Sequence, residues 1–526
     1  MPETLDETYR RSLRNINNAH WEFAHRLFQF VAVASRPLRV KELAELLAFD
    51  FKAGPIPKFD EDCRLEDPVD AVLSTCSSLL AIVDVQYPSR KVIQFSHFSV
   101  KEYLTSPRLA EARDIIPRRY HISMTPAHTL AAQTCLGILL HLDKDVVTRD
   151  NMEKWPLAEY AAKHWADHAL FEGVTQNVED GLKQLFHPRN SHLAVCVWIY
   201  NPREPFEEDE RPLLSLKTFL HYAALWGIHF IVEFLVIECS QNVRSRGFSD
   251  NVTPLHLASE WGHVKTARTL IELGAGVMAQ NEDAGTPLHL ASQEGKLEVA
   301  HMLIEHGADM AAQNKHGETP LHRASRYGEV EVVRILIERG ADVGAQNKDG
   351  ETPLHLASRG EVVRMLIRCG ADVAAQNKDR ETPLHRASRY GEVEVVRILI
   401  DRGTDVTAQN RDGDTPLHMA SQNGEAEVVL MLIERGADVA TQNKDGETPL
   451  HLASKPALYT SKLQGLSEVS RILLEQGADV NALNKAGLTP LRLASQSRRR
   501  RDIPAHVPLL WHGADPGDET GVRCLP

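Results

Sequence analysis

The feature that most constrains the fold of this chain is a tetrapeptide close to Thr-Pro-Leu-His that recurs along its C-terminal half. The threonines of these copies are Thr218, Thr253, Thr286, Thr319, Thr352, Thr382, Thr415, Thr448 and Thr489. Most successive copies are 33 residues apart, a period at which each copy is one supersecondary unit that stacks on its neighbours. The spacing therefore predicts nine stacked units rather than one globular core.

The unit at residues 318–350 shows why each copy folds as two helices. Thr319 is placed to cap a helix, and Pro320 suits the first helical position, where no backbone donor is needed. Gly328 permits the reversal that ends this inner helix, and a second, outer helix is predicted from about Glu331. The period and the T-P-L-H-x-A pattern are those of ankyrin repeats.

Composition describes a large, soluble-type protein of ordinary polarity. The chain has 526 residues, 43% hydrophobic and 25% charged, which is too long for a single core. A net charge of −13 argues against general affinity for nucleic acid or an anionic membrane, and no apolar run reaches a membrane span. Seven cysteines without a CxxC pair indicate free thiols in a reducing compartment, and we expect a cytoplasmic or nuclear location.

The chain before the repeats divides into two predicted segments. Residues 1–115 read as a winged-helix-like domain. Helical periodicity covers residues 5–16, 19–34 and the amphipathic segment 40–51, and a short helix is predicted over 70–76. A hairpin follows, whose strands flank the turn QYPSR. Residues 116–210 read as a helical connector, 212–516 as the ankyrin repeats and 517–526 as a tail. The predicted fold is therefore mainly α, an α-solenoid of about nine ankyrin repeats preceded by a winged-helix-like domain and a helical connector.

Three segments carry a more specific resemblance. RPLRVKELAELLAFDF, VIQFSHFSVKEYL and YAAKHWADHA resemble the winged-helix and helical segments that follow the NACHT nucleotide-binding module in fungal NLR-like (STAND) proteins, many of which end in ankyrin repeats. The family's nucleotide switch would lie before residue 1. The chain has no GxxxxGK[ST] motif, and its first glycine is Gly54, so no phosphate-binding loop is expected.

Two features gain a functional interpretation from this resemblance or from composition. The resemblance aligns His97 with the winged-helix histidine that contacts the nucleotide diphosphate in NACHT-type receptors. Its alternatives are a relic of that contact or a histidine satisfied in the core. The basic run Arg498, Arg499, Arg500 and Arg501 reads either as a nuclear-import signal or as a solvated turn in the last repeat.

The repeats are unequal in ways that predict local structure. The first unit exposes aromatic residues such as Trp226, so we expect it to pack on the helical connector. The unit at Thr352 is three residues short at its inter-helix turn, which predicts a shortened helix and a local change in curvature. The unit at Thr448 has gained eight residues between its helices, and Pro504 and Pro508 weaken the outer helix of the last unit.

The histidines offer the most obvious candidates for metal or acid-base chemistry. The motif histidines are His221, His256, His289, His322, His355, His385, His418 and His451, and we interpret them as bonds between neighbouring units. His164 and His168 have the i, i+4 spacing of a zinc pair but no HExxH glutamate and no third ligand. With no hydrolase or kinase motif either, the sequence predicts no enzyme, no cofactor and no metal site.

Direct DNA reading by the winged helix is also disfavoured. The segment PVDAVLSTCSS, where a recognition helix would lie, contains Asp70 and no lysine or arginine. Base and phosphate contacts need such donors, so we expect no direct nucleic-acid partner, no membrane and no small-molecule substrate.

The units differ chiefly at the exposed positions of their inner helices, where a concave binding groove is expected. The predicted partner-binding residues are Arg323, Arg326, Tyr327, Arg359, Arg386, Arg389, Tyr390, Gln422 and Asn423. They include two copies of an Arg/Arg/Tyr cluster, and arginine and tyrosine are the types that anchor protein interfaces. The alternative is that these are ordinary solvated positions of duplicated units.

Two functions of different classes follow. The first is a non-catalytic interaction protein, the recognition or scaffold arm of a fungal NLR-like receptor system that binds a protein partner. The second is a nuclear ankyrin-repeat cofactor that regulates transcription through a transcription-factor partner. A third interpretation is an incomplete gene model whose NACHT module lies upstream.

Overall fold

The computed structural model describes residues 3–64, 67, 72, 79–86, 89–202, 218–248, 250–455 and 463–496. Their Cα positions form two compact units. The first comprises the described residues up to Gly247 together with Glu272–Gly274, and the second comprises Phe248–Ile271 and the described residues from Ala275 onwards.

The first unit is mainly helical. Its α-helices are Glu3–Arg14, Trp21–Val33, Val40–Ala44, Phe98–Leu104, Pro107–Ala110, Ile115–Arg118, Met124–His141, Ala158–Ala169, Glu179–Leu185, His192–Ile199, Phe219–Leu225 and His229–Glu233, the last continuing as a π-helical turn over Phe234–Glu238. Short 3-10 helices lie at Asn18–His20, Glu45–Ala48, Glu61–Cys63, Arg149–Lys154 and Thr175–Asn177. Sequence periodicity predicted most of the longer helices but missed His192–Ile199.

A small antiparallel sheet supplies the wing. Its strands are β1 (Leu38–Arg39), β4 (Leu80–Gln86) and β5 (Ser89–Phe95), in the order β1-β5-β4, and β2 (Phe49–Asp50) pairs separately with β3 (Lys58–Phe59). The pairing of β4 with β5 confirms the predicted hairpin. The predicted recognition helix over 70–76 lies outside the described residues, apart from residue 72.

The segment 40–51 corrects one helix prediction. It was expected to form a single amphipathic helix, but the α-helix ends at Ala44, a 3-10 turn follows, and the chain then enters β2. Two tertiary interactions override the helical periodicity. Phe49 pairs with Phe59 across β2 and β3, and the buried Glu45 carboxylate accepts a hydrogen bond from the Leu157 backbone at 3.0 Å.

The first ankyrin unit packs on the connector, as its aromatic residues predicted. The Trp226 ring lies 4.9 Å from that of Trp165 and 5.9 Å from that of Phe186, both in edge-to-face geometry. Trp165, Phe186 and Tyr222 are all buried, so this aromatic cluster belongs to the core of the first unit. Covering the first repeat in this way removes an apolar end that would otherwise face water.

The second unit repeats the helix pair that the sequence predicted. Inner helices are Pro254–Trp261, Pro287–Gln293, Pro320–Tyr327, Pro353–Leu356, Pro383–Tyr390, Pro416–Asn423, Pro449–Ala453 and Pro490–Gln496. Outer helices are Val264–Glu272, Leu297–Glu305, Val330–Glu338, Gly360–Arg368, Val393–Asp401, Ala426–Glu434 and Leu463–Glu475. The repeat at Thr352 has an inner helix of four residues against eight at Thr319, which confirms the predicted shortening.

Several predictions fall outside the described residues. Residues 456–462 of the insertion in the eighth repeat and residues 497–526, with Pro504 and Pro508, are among them. Within the described part, Cys63, Cys135, Cys196, Cys239 and Cys369 are free thiols, as predicted. Of the helices in that part, none combines the length and apolar character needed to cross a membrane.

Candidate functional site

The motif histidines of the second unit link each repeat to the next through one recurring geometry. Nδ1 accepts the backbone N–H of the capping threonine three residues earlier at 3.1–3.2 Å. Nε2 lies 3.0–3.1 Å from a backbone carbonyl of the following repeat. Because a backbone N–H can only donate and a carbonyl can only accept, each ring must carry its proton on Nε2. The predicted bond between neighbouring repeats is confirmed for these seven histidines. His221, in the first repeat, is buried.

Burial keeps six of these seven rings neutral. It lowers the pKa of His289 to about 4, and it also lowers the pKa values of His322, His355, His385, His418 and His451. A proton added at Nδ1 would abolish the acceptor for the threonine N–H. The histidines are therefore structural bridges.

The first Arg/Tyr cluster is built around a buried carboxylate. Glu318 is 3% exposed. Its carboxylate forms an ion pair with the Arg323 guanidinium at 3.2 Å and a second one with the Arg326 guanidinium. Burial favours the protonated form of Glu318, but the two arginines outweigh it and lower the pKa of the carboxyl. The Arg323 guanidinium lies 5.5 Å from the ring centre of Tyr327, which is 48% exposed. The tyrosine is therefore presented to solvent on a support of paired charges.

The second cluster uses two carboxylates instead of one. Arg386 binds the buried Glu351 of the preceding repeat at 2.8 Å, and Arg389 binds the buried Glu381 of its own repeat. The Arg386 guanidinium lies 5.2 Å from the ring centre of Tyr390, which is 59% exposed. The arginines of both clusters thus already have carboxylate partners, whereas the tyrosines project outwards.

The remaining predicted groove residues lie apart from these clusters. Arg359 precedes the outer helix Gly360–Arg368 and donates to the Gly328 carbonyl at 3.1 Å. It leaves the inner-helix face because the deletion ends that helix at residue 356. Gln422 and Asn423 end the inner helix of the seventh repeat, where Asn423 donates a hydrogen bond back to its own helix.

Sequence reasoning missed the glutamates that hold the arginines. Each lies directly before a capping threonine, and an asparagine four residues earlier donates to it, as Asn347 does to Glu351 at 3.0 Å. Asn347 Oδ1 in turn accepts the backbone N–H of Asp349 and of Glu351, both at 2.9 Å, which fixes the turn of the finger loop. The recurring Asn-x-x-x-Glu-Thr pattern was the available signal.

His97 caps a helix at the protein surface. Its Nδ1 accepts the Ser99 backbone N–H at 3.2 Å and lies 2.5 Å from Ser99 Oγ, at the start of the helix Phe98–Leu104. The side chain is exposed, so the expectation of a histidine satisfied in the core is wrong. The helix N-terminus accounts for its position, because an acceptor there satisfies an orphan N–H group. The nucleotide-contact role stays a prediction.

His164 and His168 engage different partners despite their helical spacing. His164 Nδ1 pairs with Asp167 at 2.8 Å, whereas the buried His168 bonds Tyr160 at 2.8 Å and His128 at 3.0 Å. Burial lowers the pKa of His168 to about 4. Over the described ranges no group of three potential ligands is placed to hold a metal ion. The run Arg498–Arg501 lies outside those ranges.

Comparison with known families places these features in a class of protein. Residues 15–114 match the GPI inositol-deacylase, winged helix domain. Residues 188–281, 273–347 and 340–410 match ankyrin repeats in the three-copy form, 399–453 the many-copy form and 445–485 a single repeat. The chain therefore contains a winged helix domain of the GPI inositol-deacylase type and ankyrin repeats, a fold that is typically non-catalytic and serves protein–protein interaction.

The chain is also similar to two known proteins. The chain is 29% identical over 296 residues to azaphilone pigments biosynthesis cluster protein L of Monascus ruber. The aligned region covers 53% of this chain and 60% of that protein. It is 31% identical to the human ASB11 ankyrin repeat domain, whose crystal structure matches 41% of this chain and 96% of its own with a TM-score of 0.36.

Proposed function

We propose that this chain is a non-catalytic recognition arm of a fungal NLR-like receptor system and binds a protein partner on the inner-helix face of its ankyrin repeats. The family assignment is supported by a winged helix domain and ankyrin repeats in one chain, together with the sequence resemblance of three segments. The proposal includes a cytoplasmic location and no catalytic step.

The observation that carries the binding proposal is the pair of exposed tyrosines. Tyr327 and Tyr390 each end an inner helix, are about half exposed, and lie beside an arginine that a buried glutamate holds in place. Trp261 ends the inner helix of the second repeat and is 50% exposed. Aromatic side chains on fixed supports bind with little loss of conformational entropy, which is why they dominate interface energetics.

The test removes the aromatic rings and leaves the ion pairs intact. We expect Tyr327→Ala with Tyr390→Ala to weaken binding of the physiological partner at least about thirtyfold, since a single anchor residue contributes ~2 kcal/mol or more. Leu430→Ala is the matched control, because Leu430 is 41% exposed but lies on an outer helix. Partners are captured from the native host by cross-linking and mass spectrometry, and their affinities are then measured with purified components.

Retention of every cross-linked partner by the tyrosine variant would exclude the inner-helix face. Substituting the arginines with glutamate is a poorer test. It would place new negative charge beside the buried Glu318 and Glu381, so loss of binding would not be separable from loss of folding.

A further inference from the structure

The first unit contains a large open cavity of about 1080 Å³ that the repeats do not line. One wall is the start of the helix Trp21–Val33, and another is the first half of Met124–His141. The loop residues Pro55 and Ile56 and the segment 176–181 complete it. The cavity thus lies where the winged helix domain meets the helical connector.

The loop wall of this cavity packs closely against two glycines. A Cβ on Gly181 would lie 2.7 Å from Ile56 Cδ1, and a Cβ on Gly137 would lie 2.6 Å from the Pro57 carbonyl oxygen. Any larger residue at either position would push the loop away. The cavity is therefore shaped by close packing on two sides rather than by an open loop.

Some of the polar groups around the cavity are already used. His25 Nε2 lies 3.1 Å from the His121 carbonyl, Thr129 donates to the Thr125 carbonyl at 2.8 Å, and Thr125 donates to the Glu172 carbonyl at 3.3 Å. These groups position the walls. Polar recognition of a ligand has to come from other side chains.

The side chains available for a ligand are amides and carboxylates. Gln29, Gln133 and Gln176 line the cavity, and their side chains make no hydrogen bond within the described part of the chain. The Asp180 carboxylate likewise makes none there, and the Glu22 carboxylate is engaged only by Arg26, at 3.5 Å.

The charge of the lining is acidic. Its carboxylates are Glu22, Glu179 and Asp180, against the single guanidinium of Arg26, and Glu179 is paired with Lys183 at 2.9 Å. The Arg26 guanidinium lies 4.5 Å from the ring centre of Phe51 and close to Glu22, so it is not presented as an anion site. The lining favours a cation and disfavours a phosphate.

We propose that this cavity binds a basic peptide segment of a protein partner. Glu22 and Asp180 receive the guanidinium or ammonium group, and the glutamine amides pair with peptide N–H and C=O groups, since an amide side chain both donates and accepts. Trp21 and Ile56 contact the aliphatic part of the basic side chain. The volume of the cavity is at the upper limit for pockets that bind small ligands, so the cavity has room for a short peptide. The residues of this site are not those of the inner-helix face, and the proposal does not rest on the function proposed for that face.

The test measures binding of coumarin-labelled pentapeptides to the full chain by fluorescence anisotropy. The peptides are Ala-Ala-Arg-Ala-Ala and its versions with Gln or Glu at the centre. We expect the arginine peptide to bind about tenfold more tightly than the glutamine peptide, and the glutamate peptide to bind least. Equal affinities for all three, or no binding of any at millimolar concentration, would overturn the proposal.

Two charge-matched double variants separate the site from general attraction to an acidic chain. Glu22→Gln with Asp180→Asn should weaken the arginine peptide about tenfold, whereas Asp145→Asn with Glu153→Gln, exposed residues of the same unit outside the cavity, should not. Equal weakening by both pairs would show nonspecific attraction and contradict the proposal. Gln133→Trp, which narrows the cavity and removes one amide without changing the charge, should also weaken the arginine peptide, and unchanged affinity would contradict the proposal.

Discussion

The fourth and fifth ankyrin repeats carry the same motif but differ by three residues, and the comparison shows which parts of a repeat depend on its length. His322 and His355 make the same bonds to the next repeat, with Nε2–O distances of 3.0 and 3.1 Å. The inner helices that carry them have eight and four residues. Because the bridge needs only the first helical turn, the deletion leaves it intact.

The deletion changes the turn between the helices instead. Where two neighbouring repeats have regular length, the residue after the turn glycine packs over the turn glycine of the preceding repeat, as Glu329 does over Gly295. At the shortened repeat, Arg359 takes this place over Gly328, and Glu394 rather than Glu392 packs over Gly360. The deletion therefore shifts the packing register between the repeats. As a result, Glu392 does not take the place over a turn glycine that Glu329 takes over Gly295.

Acidification should have the largest effect, because it acts on the histidine bridges of short and regular repeats alike. Burial lowers the pKa values of these histidines in the folded chain. As the pH falls, the unfolded chain therefore binds more protons than the folded chain does. The stabilisation is complete above about pH 6.5 and is lost progressively towards about pH 4. We expect the urea midpoint, followed by circular dichroism, to change little between about pH 7.5 and pH 6.5 and to fall between about pH 6.5 and pH 4.5. An unchanged midpoint over that interval would show that the bridges do not titrate.

Removing one bridge should have the next largest effect. His322→Ala leaves the Thr319 N–H and the Glu351 carbonyl without their partner, so we expect a loss of about 2–4 kcal/mol in the free energy of unfolding. His355→Ala should cost the same in urea denaturation at neutral pH. His316→Ala, at an exposed finger position, is the control and should change stability by less than about 0.5 kcal/mol. A much smaller cost at His355 than at His322 would mean that the deletion has weakened the bridge.

The smallest effect should come from Glu392 and should run in the opposite direction with pH. Burial raises the pKa of Glu392 to about 7, and Arg386 offsets only part of this. A raised pKa stabilises the fold at low pH, and that contribution is lost as the pH rises through about 7. We expect Glu392→Gln to increase stability by ~1 kcal/mol at about pH 8 and to have little effect at about pH 5.

A variant of regular length is the control for that effect. Adding Tyr before Gly360 and Val-Glu after Glu361 gives the fifth repeat the turn of the fourth, so Glu392 should regain a turn glycine to pack on. In that background the benefit of Glu392→Gln at alkaline pH should disappear. If it persists, the deletion is not the cause of the unfavourable site.

Much of the fold was predictable because it follows from local, repeated signals. The threonine, proline and glycine of a regular unit, such as Thr319, Pro320 and Gly328, fix the ends of its inner helix. The hairpin of β4 and β5 follows from two short β-rich runs around a turn. The helix expected over 40–51 is interrupted because Phe49 pairs with Phe59 in a second strand, ten residues further along the chain. Periodicity reports only on which side of a segment is apolar and not on its partners.

The candidate site was predictable only in its residue types. The sequence singled out the arginines and tyrosines of the fourth and sixth repeats, but the carboxylates that hold the arginines were not recognised. Arg359 was grouped with them because it has the same place in the motif. The end of its helix at residue 356 moves it onto Gly328 instead.

The sequence by itself determined the repeat, its helix boundaries and its histidine bridges, because each depends on residues within one unit and the next along the chain. Only the tertiary structure decided that the arginines of the inner-helix face are paired with buried glutamates. It also decided that Glu392 has lost its position and that an acidic cavity lies between the winged helix domain and the connector. These features depend on burial and on contacts between distant residues, which no local pattern encodes.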